Sequence, residues 1–200
     1  MFTWYSRLLA GLRHTEGLPL LLLRLYLTPV LLQAGWNKYL HFEDTVAWFG
    51  DMEYGLGLPL PTLLAGLAIG AEIGGSLLLL FGLLTRLAAF LLAVTMLVAM
   101  LTVHAKNGWL AISDASSWLA DGTLFHSERV LAAPEKLQRA RELLQEHGNY
   151  DWLTESGNLV VLNNGIEFAA TYFVMLLCLL WFGGGRYLSV DYYLARGKLA

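Results

Sequence analysis

These 200 residues predict an all-α fold: an integral membrane four-helix bundle with an extramembrane helical insert between its third and fourth spans. Three observations predict it. The chain is 56% hydrophobic and 14% charged, where soluble domains carry about 25% charged residues. Its apolar residues gather into four runs, each near the roughly 20 residues that cross a bilayer as a helix. Those runs are continuous rather than alternating, and an open sheet leaves backbone groups unsatisfied in lipid, so helices are the expected form.

The elements follow in chain order. FTWYSRLLAGLRH places Phe2, Tyr5, Leu8, Leu9 and Leu12 at helical spacing, with Arg7 and Arg13 off that stripe. It predicts a short helix lying on the membrane surface. The first span covers residues 18–36 and contains Arg24 and Pro29. It lacks an A-x-A exit and reads as a retained span, not a cleaved signal. The second covers 60–84 and the third 87–103, ending at His104. Little more than Thr85 and Arg86 joins them, which makes an antiparallel hairpin. The fourth covers 159–182 and contains Glu167. Residues 105–158 form the insert, and the whole chain is expected to be one membrane domain. Within the insert, Pro134 can open a helix and Gly148 can close it, with Leu137, Ala140, Arg141 and Leu144 along one face. Trp109, Trp118 and Trp152 suit a headgroup-level position around a small cap on the outer mouth of the bundle.

Orientation follows from the basic residues. Arg7, Arg13, Arg86, Arg186, Arg196 and Lys198 flank one side, while the connection 37–59 sets Lys38 against Glu43, Asp44, Asp51 and Glu53. The positive-inside rule then puts both termini in the cytoplasm. The net charge of −3 gives no sign of nucleic-acid binding. Cys178 is the one cysteine, which excludes an internal disulfide or a CxxC redox pair.

Three ionisable residues fall inside the spans: Arg24, Glu72 and Glu167. Each costs about 2.5–3.5 kcal/mol at a helix centre, so each is expected to face the bundle and find a partner. Arg24 lies about 9 Å and Glu72 about 18 Å from the cytoplasmic ends of their spans. The long arginine side chain makes Arg24 with Glu72 the expected ion pair, and such a pair can serve only to fix register. Glu167 is expected about 12 Å from the outer end of its span, near Gln33, His104 or Met100. A carboxylate there without its own cation suits a proton relay or a hydrogen bond to a quinone. Gly66, Gly70 and Gly74 form one small-residue stripe of the second span; Ala65, Ala68, Glu72, Gly75 and Ser76 form another. Two such faces predict a helix gripped from two sides. Met96, Met100 and His104 recur every four residues, a thioether and imidazole set that can bind copper(I) but more often merely packs. Met175 and Cys178 share a face of the fourth span.

LRLYLTPVLLQAGWNKYLHF resembles the opening of DoxX-family membrane proteins. GLPLPTLLAGLAIGAEIGGSLLLLFGLLTRLAA is similar to that family's second and third spans, and GGGRYLSVDYYL to its closing segment. The insert from about Lys106 to Asn158 exceeds the connection usual in the family. The resemblance implies a four-helix bacterial inner-membrane protein, with Arg24, Lys38, Glu72 and Arg86 as the positions that carry over. It implies links to quinone-coupled oxidation of sulfur compounds, to complexes resisting oxidative stress, and to copper-related peptides. The leading expectation is a quinone-interacting redox subunit. Glu167, Glu72 and His104 would exchange protons, Arg24, Gln33 and Lys38 would contribute to binding, and a partner protein would supply electrons. The alternatives are a non-catalytic scaffold that recruits a client through the cap, and copper handling by Met96, Met100 and His104. Four spans without a repeat suit a solute carrier only if the chain forms homo-oligomers.

Overall fold

The structure, a computed structural model, describes residues 3–197. It is helical. Among the described residues there is no strand, and the extended pairings are two isolated bridges, Ile112 with Leu162 and Asp121 with His126. In chain order the helices are α1 (Thr3–His14), α2 (Gly17–Leu40), α3 (Phe42–Gly50), α4 (Pro61–Phe81) and α5 (Thr85–Val98). The last continues through a π-helical turn, Ala99–His104, and a 3-10 turn, Ala105–Asn107. Then come α6 (Glu128–Leu131), α7 (Ala133–His147), α8 (Tyr150–Thr154), α9 (Glu167–Phe182) and α10 (Val190–Gly197). The described residues fall into two compact units, one within 1–97 and 172–200, the other 98–171.

In the first unit, α2, α4, α5 and α9 share one core. Leu27 and Leu31 of α2 meet Leu79 of α4, Ala88 and Leu92 of α5, and Leu176 and Leu179 of α9. The opposite faces stay apolar. Leu22, Leu25, Leu63, Leu67, Phe90, Val94, Val174 and Trp181 are all exposed. A monomeric soluble protein rarely shows so continuous an apolar surface, whereas acyl chains cover it without cost. Three helices are long and apolar enough to cross a bilayer: Gly17–Leu40, Pro61–Phe81 and Thr85–Asn107. α9 has 16 residues, roughly 24 Å of rise against a hydrocarbon core of about 30 Å. α1 forms where the amphipathic spacing predicts; Tyr5 and Leu12 of its apolar stripe are exposed. Phe2 lies outside the described residues.

Three local features depart from expectation. The connection 37–59 is largely ordered helix, because α2 runs on to Leu40 and α3 follows. Glu43 and Asp44 stand in the first turn of α3, where the helix dipole favours anions, and Phe49 is its buried anchor. Beyond α3, the backbone N–H groups of Tyr54 and Glu53 hold the Asp51 carboxyl below the usual carboxylate range and fix the turn out of the helix. Second, α9 begins at Glu167 and not at residue 159. The preceding backbone is bound elsewhere within the second unit: Ser113 N–H donates to Val161 O, Asn163 N–H to Ala111 O and Gly165 N–H to Leu110 O. Asn164 sits at φ 58°, the left-handed region. Third, the glycine stripe of α4 is not gripped. Among the described residues a Cβ at Gly66, Gly70 or Gly74 would meet nothing within 4 Å, while Ala65, Glu72, Gly75 and Ser76 of the other face are buried.

The second unit has a small core of Leu110, Ala120 and Val130, with Trp109 and Leu119 packed against it. Trp109 stacks on Phe125 at 6.2 Å. Trp118 and Trp152 are exposed. The helix predicted between Pro134 and Gly148 is α7, with Pro134 in its first turn and Gly148 as its C-cap.

Candidate functional site: the buried charges

Packing of α2 on α4 decides which charges meet. Gly35 is the closest approach. A Cβ there would stand 2.8 Å from Glu72 Cβ and 2.9 Å from Ile73 Cγ1, so only a hydrogen fits. The two helices run antiparallel, which sets Gly35 level with Glu72 and Arg24 level with the C-terminal end of α4. Lys38, one turn beyond Gly35, reaches back to the carboxylate. Its Nζ donates to Glu72 Oε1 at 2.9 Å and Oε2 at 2.7 Å. The Glu72 side chain is 4% exposed and that of Lys38 is 29% exposed. Ser76 Oγ donates back to the Glu72 main-chain carbonyl.

The expected ion pair of Arg24 with Glu72 is therefore not formed. Arg24, fully buried, donates instead to five main-chain carbonyls. Nε bonds Leu79 O at 2.6 Å and Nη2 bonds Leu80 O at 2.8 Å, both at the end of α4 where carbonyls lack helical partners. Nη1 bonds Gly184 O at 3.0 Å and Tyr187 O at 3.1 Å, and Nη2 bonds Leu188 O at 2.8 Å. The guanidinium fork supplies the donors for this in one plane. Gly82, at φ 61°, leaves room for it: a Cβ there would lie 2.8 Å from Arg24 Nη2.

The same end of the bundle explains the closing segment. Asp191 accepts the N–H of Leu84 and of Thr85, each at 2.8 Å, and so caps the start of α5. Ser189 Oγ donates to Gly82 O, and Arg86 Nη2 to Trp181 O at 3.1 Å. The GLLTR turn and the GGGRYLSVD segment form one hydrogen-bonded clasp.

Glu167 and His104 belong to the second unit. Glu167 stands in the first turn of α9, not eight residues into a helix, because the backbone before it is diverted. Its Oε2 accepts the Ala111 N–H at 2.9 Å. His104 Nδ1 lies 3.0 Å from Asn164 O, a contact that needs the ring proton on Nδ1. Asn107 and Asn163, which the sequence reading did not single out, are buried and tie this region together. Asn163 Nδ2 donates to Asn107 O and Leu110 O, each at 2.7 Å, and Arg129 Nη1 donates to Asn107 Oδ1 at 2.7 Å. The tripeptide Asn163-Asn164-Gly165 is a turn signal that could have revealed it. Gln33 is exposed on α2. Met96 is buried in the core of the first unit, while Met100 is half-buried in the π-helical turn that His104 closes. Among the described residues no three or more of His, Cys, Asp and Glu are grouped as metal ligands.

The arrangement defines a class of protein: a membrane helical bundle with a buried lysine–glutamate pair and an arginine-centred clasp. Residues 19–105 match the family model DoxX. The match takes in Arg24, Lys38, Glu72 and Arg86. No curated protein and no solved structure matches the chain.

Proposed function

We propose that this DoxX-like membrane protein is a quinone-interacting redox subunit whose Lys38–Glu72 pair exchanges the protons. The observation that carries the reading is the position of the pair. Glu72 lies eleven residues into α4, about 17 Å from its start, and Lys38 stands two residues before the end of α2. Lys38 thus links a carboxylate deep among the helices to the end of the bundle, where Trp36 and Tyr39 are exposed as interfacial aromatics are. An ionisable residue inside a membrane protein is by default a functional group, for proton relay above all. The donor set suits a quinone-type ring, since a carboxylate and an ammonium can both hydrogen-bond a ring oxygen and pass a proton. A quinone takes up two electrons and two protons on reduction. The sequence carries no evident haem-ligand pair or flavin motif, so a partner protein supplies the electrons.

The test uses membranes carrying the full chain with its native neighbours, a short-tailed quinone and a reductant, with quinone reduction followed by absorbance. The expected result is a rate that depends on the chain and falls about a hundredfold or more in Glu72→Gln. An undiminished rate in Glu72→Gln, at wild-type protein abundance, contradicts the reading.

A second reading, a scaffold without chemistry of its own, is favoured by Arg24, whose bonds all end on main-chain carbonyls. It expects Glu72→Gln to leave the phenotype intact and removal of the insert to abolish it.

A further inference from the structure

The clasp end of the first unit carries a groove of about 1180 Å³ that the Lys38–Glu72 pair does not use. Arg86 and Arg186 line it, with Thr85, the loop Gly183–Gly185, and the apolar Leu87 and Phe182. Its polar groups are incompletely used. Thr85 is fully buried, yet its Oγ1 has no hydrogen-bond partner among the described residues. Arg186 Nε is likewise buried and unpartnered. Arg86 commits one N–H, to Trp181 O. A buried donor left unmade costs about 1–3 kcal/mol, so two such groups, Thr85 Oγ1 and Arg186 Nε, around one groove point to a ligand that takes them up. Gly184 keeps the floor open: a Cβ there would lie 2.8 Å from both Thr85 Oγ1 and Ser189 Oγ.

Charge names the ligand's sign. Asp191 and Glu16 also line the groove, but both Asp191 oxygens are engaged by the N–H groups of Leu84 and Thr85. Glu16 is exposed. The two arginines therefore face a site open to an anion. Leu87 and Phe182 are exposed at the ends of apolar helices, where acyl chains begin. We infer that this groove binds the phosphate headgroup of an anionic membrane lipid. Arg86 and Arg186 hold the phosphate, Thr85 Oγ1 donates to it, and the lipid's chains run along Leu87 and Phe182.

The test is lipid retention by the full-length protein in mild detergent, followed by native mass spectrometry. Phosphatidylglycerol, phosphatidylcholine and inorganic phosphate are titrated separately, then phosphate against bound phosphatidylglycerol. The expected result is a preference of about tenfold for phosphatidylglycerol over phosphatidylcholine. Arg86→Gln with Arg186→Gln removes the preference. Thr85→Val, which breaks no internal hydrogen bond and so keeps the fold, reduces it about fivefold. Arg139→Gln, at an exposed residue of α7, leaves it unchanged. Equal binding of the two lipids, or a full preference surviving in either variant, overturns the assignment. Displacement of phosphatidylglycerol by millimolar inorganic phosphate also overturns it, because the ligand is then a free phosphate.

Discussion

Arg24 shows how a single side chain can hold several pieces of backbone together. Its five hydrogen bonds bind the end of α4 to the loop of residues 184–188. Lysine concentrates its donors on one atom and cannot span both sets of carbonyls. Arg24→Lys should therefore lower stability by about 2–3 kcal/mol, measured by thermal unfolding in detergent. Unchanged unfolding would contradict this role. That Arg24, Glu72 and Lys38 matter was legible in the sequence, from the cost of charge in lipid and from the resemblance. Their partners were not. The apolar run of the first span stops at residue 36, whereas α2 runs on to Leu40 and carries Lys38 along the helix that faces Glu72. Nor does a sequence show that the orphan carbonyls at a helix end compete with a carboxylate for a guanidinium.

At the scale of elements, α4 presents two small-residue faces with opposite fates. The face of Ala65, Glu72, Gly75 and Ser76 is buried, with Gly75 against Leu92 of α5. On the face of Gly66, Gly70 and Gly74 an added Cβ would meet nothing within 4 Å among the described residues. Substitutions should separate them. Gly35→Ala, which drives a methyl group into Glu72 and Ile73, should cost about 1–3 kcal/mol. Gly70→Ala should be neutral or stabilise by up to about 1 kcal/mol through helix propensity. Unfolding midpoints of the two variants in one detergent decide it; equal losses would contradict the packing described. The sequence showed both stripes, because spacing reveals faces, but spacing does not say which face meets a neighbour. The onset of α9 was missed for a related reason. Leu159–Leu162 is apolar enough to read as helix, and only the Asn-Asn-Gly turn after it marks the break.

At the scale of the whole molecule, four helices share a core whose outer surface is apolar. Such a surface should keep the protein in the membrane pellet through an alkaline carbonate wash. Release into the supernatant would contradict a spanning bundle. The helical class was legible because run length and charge depletion report the solvent directly. The hydrogen-bonded clasp was not, since it joins Arg24 to residues about 160 positions away through carbonyls that every residue possesses.

The central claim is that Lys38 and Glu72 form one unit inside this bundle. A double-mutant cycle tests it most directly. Thermal unfolding is measured for the unmodified chain, Lys38→Met, Glu72→Gln and the double variant. Each single change should be costly, and the double variant less so than their sum, with a coupling of about 1–3 kcal/mol. Additivity within about 0.3–0.5 kcal/mol would mean that the two side chains do not interact, and would contradict the account.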